Sequence, residues 1–172
     1  MKSNKLRNLN VCLALIASLG LAGVAQAATV KVKAAPFAYA EGDYPDGQPK
    51  PVSTYRVKGK KAINYVNKGD LVGYNIDIPE SGVYQLSYSI ATEMEEGAEV
   101  SFQVKQDSGW ETYAPTTVKP QGGWDSFYKL DASAQIPLKA GKQEVRVVAT
   151  GTNDWQWNLQ SFELNKAGEL AE

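Results

Sequence analysis

The chain has 172 residues, with 18 Lys and Arg against 19 Asp and Glu, no histidine and a single cysteine, Cys12. Missing histidine removes the commonest general base and transition-metal ligand, and a lone cysteine can close no intrachain disulfide. A net charge of −1 makes nucleic acid and anionic lipid poor partners for the chain as a whole.

Residues 1–27 read as a secretory signal peptide. Lys2, Lys5 and Arg7 form a basic start, Val11 to Val24 is a nearly unbroken apolar run, and Ala25-Gln26-Ala27 gives a small-x-small cleavage pattern. The run is shorter than the roughly 20 residues that span a bilayer, and it ends in a cleavage pattern instead of a charged stop. Cleavage after Ala27 would remove Cys12 and three cations but no acid, leaving a more acidic product. The expected location is therefore secreted or periplasmic, with no membrane association after cleavage.

From Ala28 onward, segments of strand length alternate apolar and polar residues between clusters of Gly, Pro, Asn and Asp. Thr29 to Tyr39 opens as a strand. Glu41 to Pro51, rich in proline and glycine, reads as a long loop. Val52 to Val57 and Ala62 to Val66 are short extended pieces, and Lys68-Gly69-Asp70 is a turn. In Asp70 to Ile78, Val72, Tyr74, Ile76 and Ile78 share one strand face while Asn75 and Asp77 share the other. Val83 to Ala91 repeats the pattern with Tyr84, Leu86, Tyr88 and Ile90. Val100, Phe102 and Val104 repeat it again after a Glu-rich loop at 93–97. Trp110 to Lys119 and Ser126 to Leu130 are weaker strands around the loop Pro120-Gln121-Gly122-Gly123-Trp124-Asp125. Gln135 to Leu138, Gln143 to Thr150 and Trp157 to Leu164 complete the set, with no convincing helix. Many short strands in one domain of this size predict an all-β chain: an antiparallel β-sandwich of jelly-roll type over 28–165, with 166–172 as a frayed tail.

No glycine-rich phosphate-binding pattern occurs. What survives is carboxylate chemistry, since a glycosidase needs only two Asp or Glu residues roughly 5 to 10 Å apart. Asp125, Asp154 and Glu163 stand near tryptophans, and Tyr65 with Lys68 offers a lyase-type pair. Loop aspartates ordinarily cap turns and a strand-end glutamate is ordinarily solvated, so no residue is assigned as catalytic. The aromatic residues say more. Trp124 follows two glycines in a loop, and Trp155 sits in Asp154-Trp155-Gln156-Trp157-Asn158, where a loop becomes a strand. A tryptophan face can cover the apolar C–H face of a pyranose, and neighbouring amides can pair with its hydroxyls. Tyr65, Trp124, Trp155 and Asn158 are therefore the candidate ligand-binding residues, against the alternative that each merely anchors a loop or a strand edge. Trp157, opening the alternating strand, is expected to be packed.

The ordered set Ala40-Glu41, Ile63 to Asp70, Tyr74 to Pro79, Ser81-Gly82-Val83-Tyr84, Gly122-Gly123-Trp124, Leu138 to Gly141 and Trp157-Asn158 with Phe162-Glu163-Leu164 resembles a family 6 carbohydrate-binding module, over roughly Ala35 to Asn165. The resemblance implies a jelly-roll sandwich with a ligand cleft in the loops at one end, between Tyr65 and Trp124. Asn158 falls on the family's cleft asparagine, and Trp155 on an aromatic that some members add. Family ligands include xylan, β-glucans and agar-type galactans, bound without catalysis and usually beside a hydrolase, so a separate glycoside hydrolase is an expected partner. A structural Ca2+ is also implied, with Glu41 as its best remaining ligand and Asn165 near the position of a late acid; Tyr39 stands where members commonly carry a further glutamate. Two other readings stay open: a small polysaccharide-degrading enzyme using carboxylates near the same cleft, and an extracellular protein-interaction domain.

Overall fold

The structure, a computed structural model, describes residues 26–43 and 51–171. The expected leader, apart from its last two residues, and most of the 41–51 loop lie outside them. The described residues form twelve strands and no helix: β1 (Thr29–Lys33), β2 (Tyr39–Glu41), β3 (Ser53–Val57), β4 (Lys60–Asn64), β5 (Leu71–Ile78), β6 (Gly82–Ala91), β7 (Glu99–Gln106), β8 (Gly109–Thr117), β9 (Tyr128–Asp131), β10 (Ile136–Leu138), β11 (Gly141–Ala149) and β12 (Asn158–Gly168). All pair antiparallel, in two sheets. The larger runs β10-β6-β12-β4-β3, with β1 also paired to β12 and β9 to β6; the smaller runs β2-β5-β11-β7-β8. This is the β-sandwich that the alternation predicts.

Two boundaries differ from the sequence reading. The strand expected over Thr29 to Tyr39 is divided by a bend at residues 34–36, where Pro36 has no N–H to offer a ladder, and β1 and β2 then join opposite sheets. At the other end β12 continues past Asn165 to Gly168, with Lys166 opposite Tyr84 and Gly168 opposite Val83. The tail expected from residue 166 thus begins as strand, because β6 supplies a partner there and the Lys166 ammonium reaches Glu80 and Glu169.

The alternating residues meet between the sheets. Tyr84, Leu86, Tyr88 and Ile90 of β6 and Leu159, Phe162 and Leu164 of β12 face Val72, Tyr74, Ile76 and Ile78 of β5 and Val100, Phe102 and Val104 of β7, all buried. Phe162 sits between the layers, edge-on to Tyr74 at 5.2 Å and to Phe102 at 5.7 Å between ring centroids. Such pairs contribute about 1 kcal/mol each beyond the area they bury.

The core tyrosines differ in one respect. The Tyr74 hydroxyl donates to the Ala34 carbonyl at 2.8 Å, whereas the Tyr88 hydroxyl, equally enclosed, has no hydrogen-bond partner among the described residues. A buried hydroxyl without a partner forfeits its hydration for nothing. Tyr88→Phe is therefore expected to stabilise the fold by about 1 kcal/mol and Tyr74→Phe to cost about as much. Denaturant midpoints in the opposite order would contradict this account of the two hydroxyls.

Candidate functional site

At one end of the sandwich the turn after β4 lies against the segment that enters β12. The Lys68 N–H donates to the Asp154 carbonyl and the Gln156 N–H to the Val66 carbonyl, each at 3.0 Å, and Asn67 bridges Trp155. These bonds make one rigid ridge from two loops. Its exposed side carries Tyr65 and Trp155, among the described residues the two large hydrophobic side chains most open to solvent, at 53% and 41%. Their rings meet edge-on at 6.1 Å between centroids and 63° between planes.

Tyr65 holds a φ of +56°, the left-handed region that favours glycine. A side chain there costs roughly 1 kcal/mol of backbone strain, the kind of strain that collects at functional positions. Tyr65→Gly is expected to leave thermal stability unchanged or raised while removing one aromatic wall. A variant clearly less stable than the parent would show instead that the ring is structural.

Gln156 explains how the ridge is held. Its fully buried amide accepts the Glu99 N–H at 3.1 Å and donates to the Gly97 carbonyl at 3.1 Å and to the Asn153 carbonyl, tying the 97–99 and 153–156 segments together. Gly151 lies so close to Gly97 and Glu99 that no Cβ would fit. This amide supports the tryptophan next to it, a role its loop position did not disclose.

Beneath the ridge Asp70 is fully buried. One carboxylate oxygen accepts the Asn67 N–H at 2.9 Å, and the other lies where Gly42 leaves no room for a side chain. Burial pushes its pKa up to about 6 from 3.8. A raised carboxylate pKa means that the folded state binds the proton more tightly than the unfolded chain. The penalty is absent below the unfolded value and develops as pH rises through the folded value. The parent is therefore expected to lose on the order of 2 kcal/mol between pH 4 and pH 7 from this group. Asp70→Asn should lack that component. Parallel profiles of stability against pH for the two proteins would refute the assignment.

Trp124 comes from the loop before β9. Gly122 and Gly123 have φ of +115° and +123°, and this glycine pair lets the loop turn tightly into the tryptophan. The loop is then held from below. The Asn158 amide nitrogen donates to the Trp124 carbonyl at 2.9 Å and to the Tyr55 hydroxyl at 3.0 Å, and the Tyr55 hydroxyl donates to Asp125 Oδ1 at 2.7 Å. Burial and the Asp125 carboxylate both raise the Tyr55 pKa, keeping the phenol protonated and donating. A carbonyl can only accept, so the Trp124 oxygen fixes the orientation of the Asn158 amide. Both amide hydrogens are engaged within the protein, leaving only Oδ1 for a ligand.

Between ridge and loop lies a cleft of about 500 Å³, lined by Tyr55, Asn64, Tyr65, Val66, Met94, Trp124, Asp125, Trp155 and Asn158. All four sequence-derived candidates reach it. Trp124 lines the cleft together with Tyr65 and Trp155, and among the described residues it makes no ring contact with either. Tyr55, Asn64 and Met94 went unassigned in the sequence because ordinary strand alternation or loop composition accounts for each of them.

Other candidates lie elsewhere. Glu163 faces outward on β12, 3.5 Å from the Lys31 ammonium, and Asp154 does not line the cleft. Asp125 is thus the single carboxylate among the described lining residues. Nor does the structure bring Glu41 and Asn165 together. Glu41 is on the small sheet with the Arg146 guanidinium 3.5 Å away. Asn165 is on the large sheet, roughly 23 Å along β12 from Asn158, accepting from Thr29 and donating to Glu163. Calcium prefers six to eight oxygens at one point, and each of these two residues already has a protein partner of its own.

The comparisons with known proteins agree with this architecture. The family model for carbohydrate binding module (family 6) matches residues 41–166. The chain belongs to carbohydrate-binding module family 6. It is 43% identical over 150 residues to Beta-agarase AgaO of Microbulbifer thermotolerans, covering 87% of this chain and 12% of that protein. It is 38% identical over 146 residues to an Alpha-agarase of Thalassotalea agarivorans, covering 85% of this chain and 10% of that one. The family 6 module thus spans about a tenth of the length of these relatives. In fold it resembles a β-1,3-glucan binding family 6 module from Bacillus halodurans, with a TM-score of 0.63 at 16% identity over 80% of this chain and 96% of that one.

Proposed function

We propose that this family 6 module is an exported, non-catalytic binder of agar-type galactan that holds a sugar ring between Trp124 on one side and Tyr65 with Trp155 on the other. The observation that carries this reading is the open cleft itself, with aromatic walls braced by hydrogen bonds and a polar base of Tyr55, Asp125 and Asn158. Apolar walls take the C–H faces of a pyranose and the polar base fixes its hydroxyls. Asn158 acts chiefly by holding the Trp124 loop. The choice of galactan over xylan or β-glucan is favoured by the similarity to segments of two agarases.

That Asp125 is the single carboxylate among the described lining residues supports binding over hydrolysis, since glycosidases work with two. The basic start, apolar run and Ala25-Gln26-Ala27 of the sequence favour export to the periplasm or medium, where a separate glycoside hydrolase would be a natural partner. Titration with agarose, xylan and β-glucan oligosaccharides, following tryptophan fluorescence, tests the reading. Agarose oligosaccharides should change the emission and saturate. Silence across the panel would refute sugar binding at the cleft, and preference for xylan or β-glucan would refute the galactan assignment.

A further inference from the structure

The near-neutral total charge conceals a strongly basic hairpin. Arg56, Lys58, Lys60 and Lys61 fall within six positions of Arg56-Val57-Lys58-Gly59-Lys60-Lys61. Lys58 and Gly59 have φ of +47° and +81°, values that suit the two-residue turn joining β3 to β4. The turn sets Arg56 directly across from Lys61. Like charges in directly opposed positions destabilise a strand pair. Lys33, at the end of β1, adds a further cation to the same recess.

Glu163, two residues along β12 from Ser161, is engaged by Lys31. Among the described residues no carboxylate forms an ion pair with Lys33, Arg56, Lys60 or Lys61, although six ion pairs form elsewhere. The recess between the hairpin and the outer face of the large sheet has a volume of about 650 Å³. Its polar lining comes from Ser89, Gln160 and Ser161, short or flexible side chains that can accompany an anion without crowding it. It shares no residue with the aromatic cleft.

We propose that this recess is a second glycan site, which takes a sulfate-ester group of an anionic polysaccharide between Arg56, Lys60, Lys61 and Lys33. A guanidinium and several ammonium groups on one polar recess offer directed and diffuse donors to a tetrahedral oxyanion, and binding relieves their mutual repulsion. A polysaccharide is favoured over single-stranded nucleic acid because, among the described residues, no aromatic ring lines the recess to stack a base. The site complements the aromatic cleft, which is suited to uncharged rings, and stands or falls independently of it.

The test uses the full chain, a sulfated galactan and the same galactan after chemical desulfation, at fixed ionic strength near 0.15 M. The double variant Arg56→Ser/Lys61→Ser changes two exposed positions and should leave the fold intact, which its melting curve checks. The sulfated polymer should bind the parent at least tenfold more tightly than the desulfated one. The double variant should lose most of that advantage while retaining the parent's affinity for neutral agarose oligosaccharides. Trp155→Ala should do the reverse, which separates failure of this site from failure of the cleft. Equal binding of the two polymers, or an unchanged advantage in the double variant, overturns the proposal. So does saturation by inorganic sulfate alone with no gain from the polymer, or tighter binding of single-stranded DNA or anionic phospholipid vesicles than of the sulfated galactan.

Discussion

Trp155→Ala is expected to weaken binding of agarose oligosaccharides about 30-fold or more, a loss of roughly 2 kcal/mol, while the melting temperature stays within about 2 °C of the parent. The two halves of this expectation have separate causes. The ring is 41% exposed, so truncating it removes little buried area from the folded state. The backbone beneath it keeps its bridge to Asn67 and its bond to Asn153, so the ridge persists without the ring. A bound pyranose, by contrast, would lose most of one wall. Trp110→Ala is the matched control. That indole sits on the outer face of the small sheet with the Arg146 guanidinium 3.8 Å above it, away from the cleft, and its removal should leave sugar affinity unchanged. Isothermal titration of the three proteins decides the matter. Parent-like affinity in Trp155→Ala would move the site off this ridge.

Two positions along the chain the same substitution should have the opposite signature. Trp157 is 1% exposed, and its indole N–H donates to the Glu99 carbonyl at 3.1 Å, joining the start of β12 to the start of β7. Trp157→Ala leaves a large cavity and an unsatisfied carbonyl, and is expected to cost about 3–5 kcal/mol. Against a typical total of about 5–15 kcal/mol, this is enough to bring unfolding close to ambient temperature. Urea denaturation measures it. A cost below about 1 kcal/mol would mean that the two sheets do not depend on this contact at the cleft end.

These neighbouring tryptophans show where reading the sequence succeeds. Residue 157 begins a run in which alternate positions are apolar, so its burial follows from strand periodicity, whereas residue 155 precedes that run among polar residues. The same reasoning found the strands whose alternation is clean, β5, β6 and β7, and missed the break between β1 and β2, because the lapse of alternation at Ala34-Ala35-Pro36 does not by itself say that the chain passes to the other sheet. Asn158 was legible as a ligand-side amide beside Trp155 and Trp157, and the family resemblance placed it in the cleft. That its donors are engaged by Tyr55 and Trp124 depends on partners 103 and 34 residues away.

The basic recess gives the reverse case. Four cations in six residues are visible in the sequence, yet a hairpin with solvated charges would look the same there. The juxtaposition of Arg56 with Lys61, and of both with Lys33 from β1, is a property of strand pairing and register.

What the sequence determined by itself is the all-β class, the alternating core and the presence of aromatic residues in loops, because each depends on neighbours within a few positions. Which aromatics share a cleft, why Gln156 and Asn158 serve as braces, on which sheets Glu41 and Asn165 fall and where the hairpin cations meet Lys33 were decided only by tertiary structure. Those outcomes rest on contacts between segments far apart in the chain, and local periodicity carries no information about which distant strand ends a sandwich brings together.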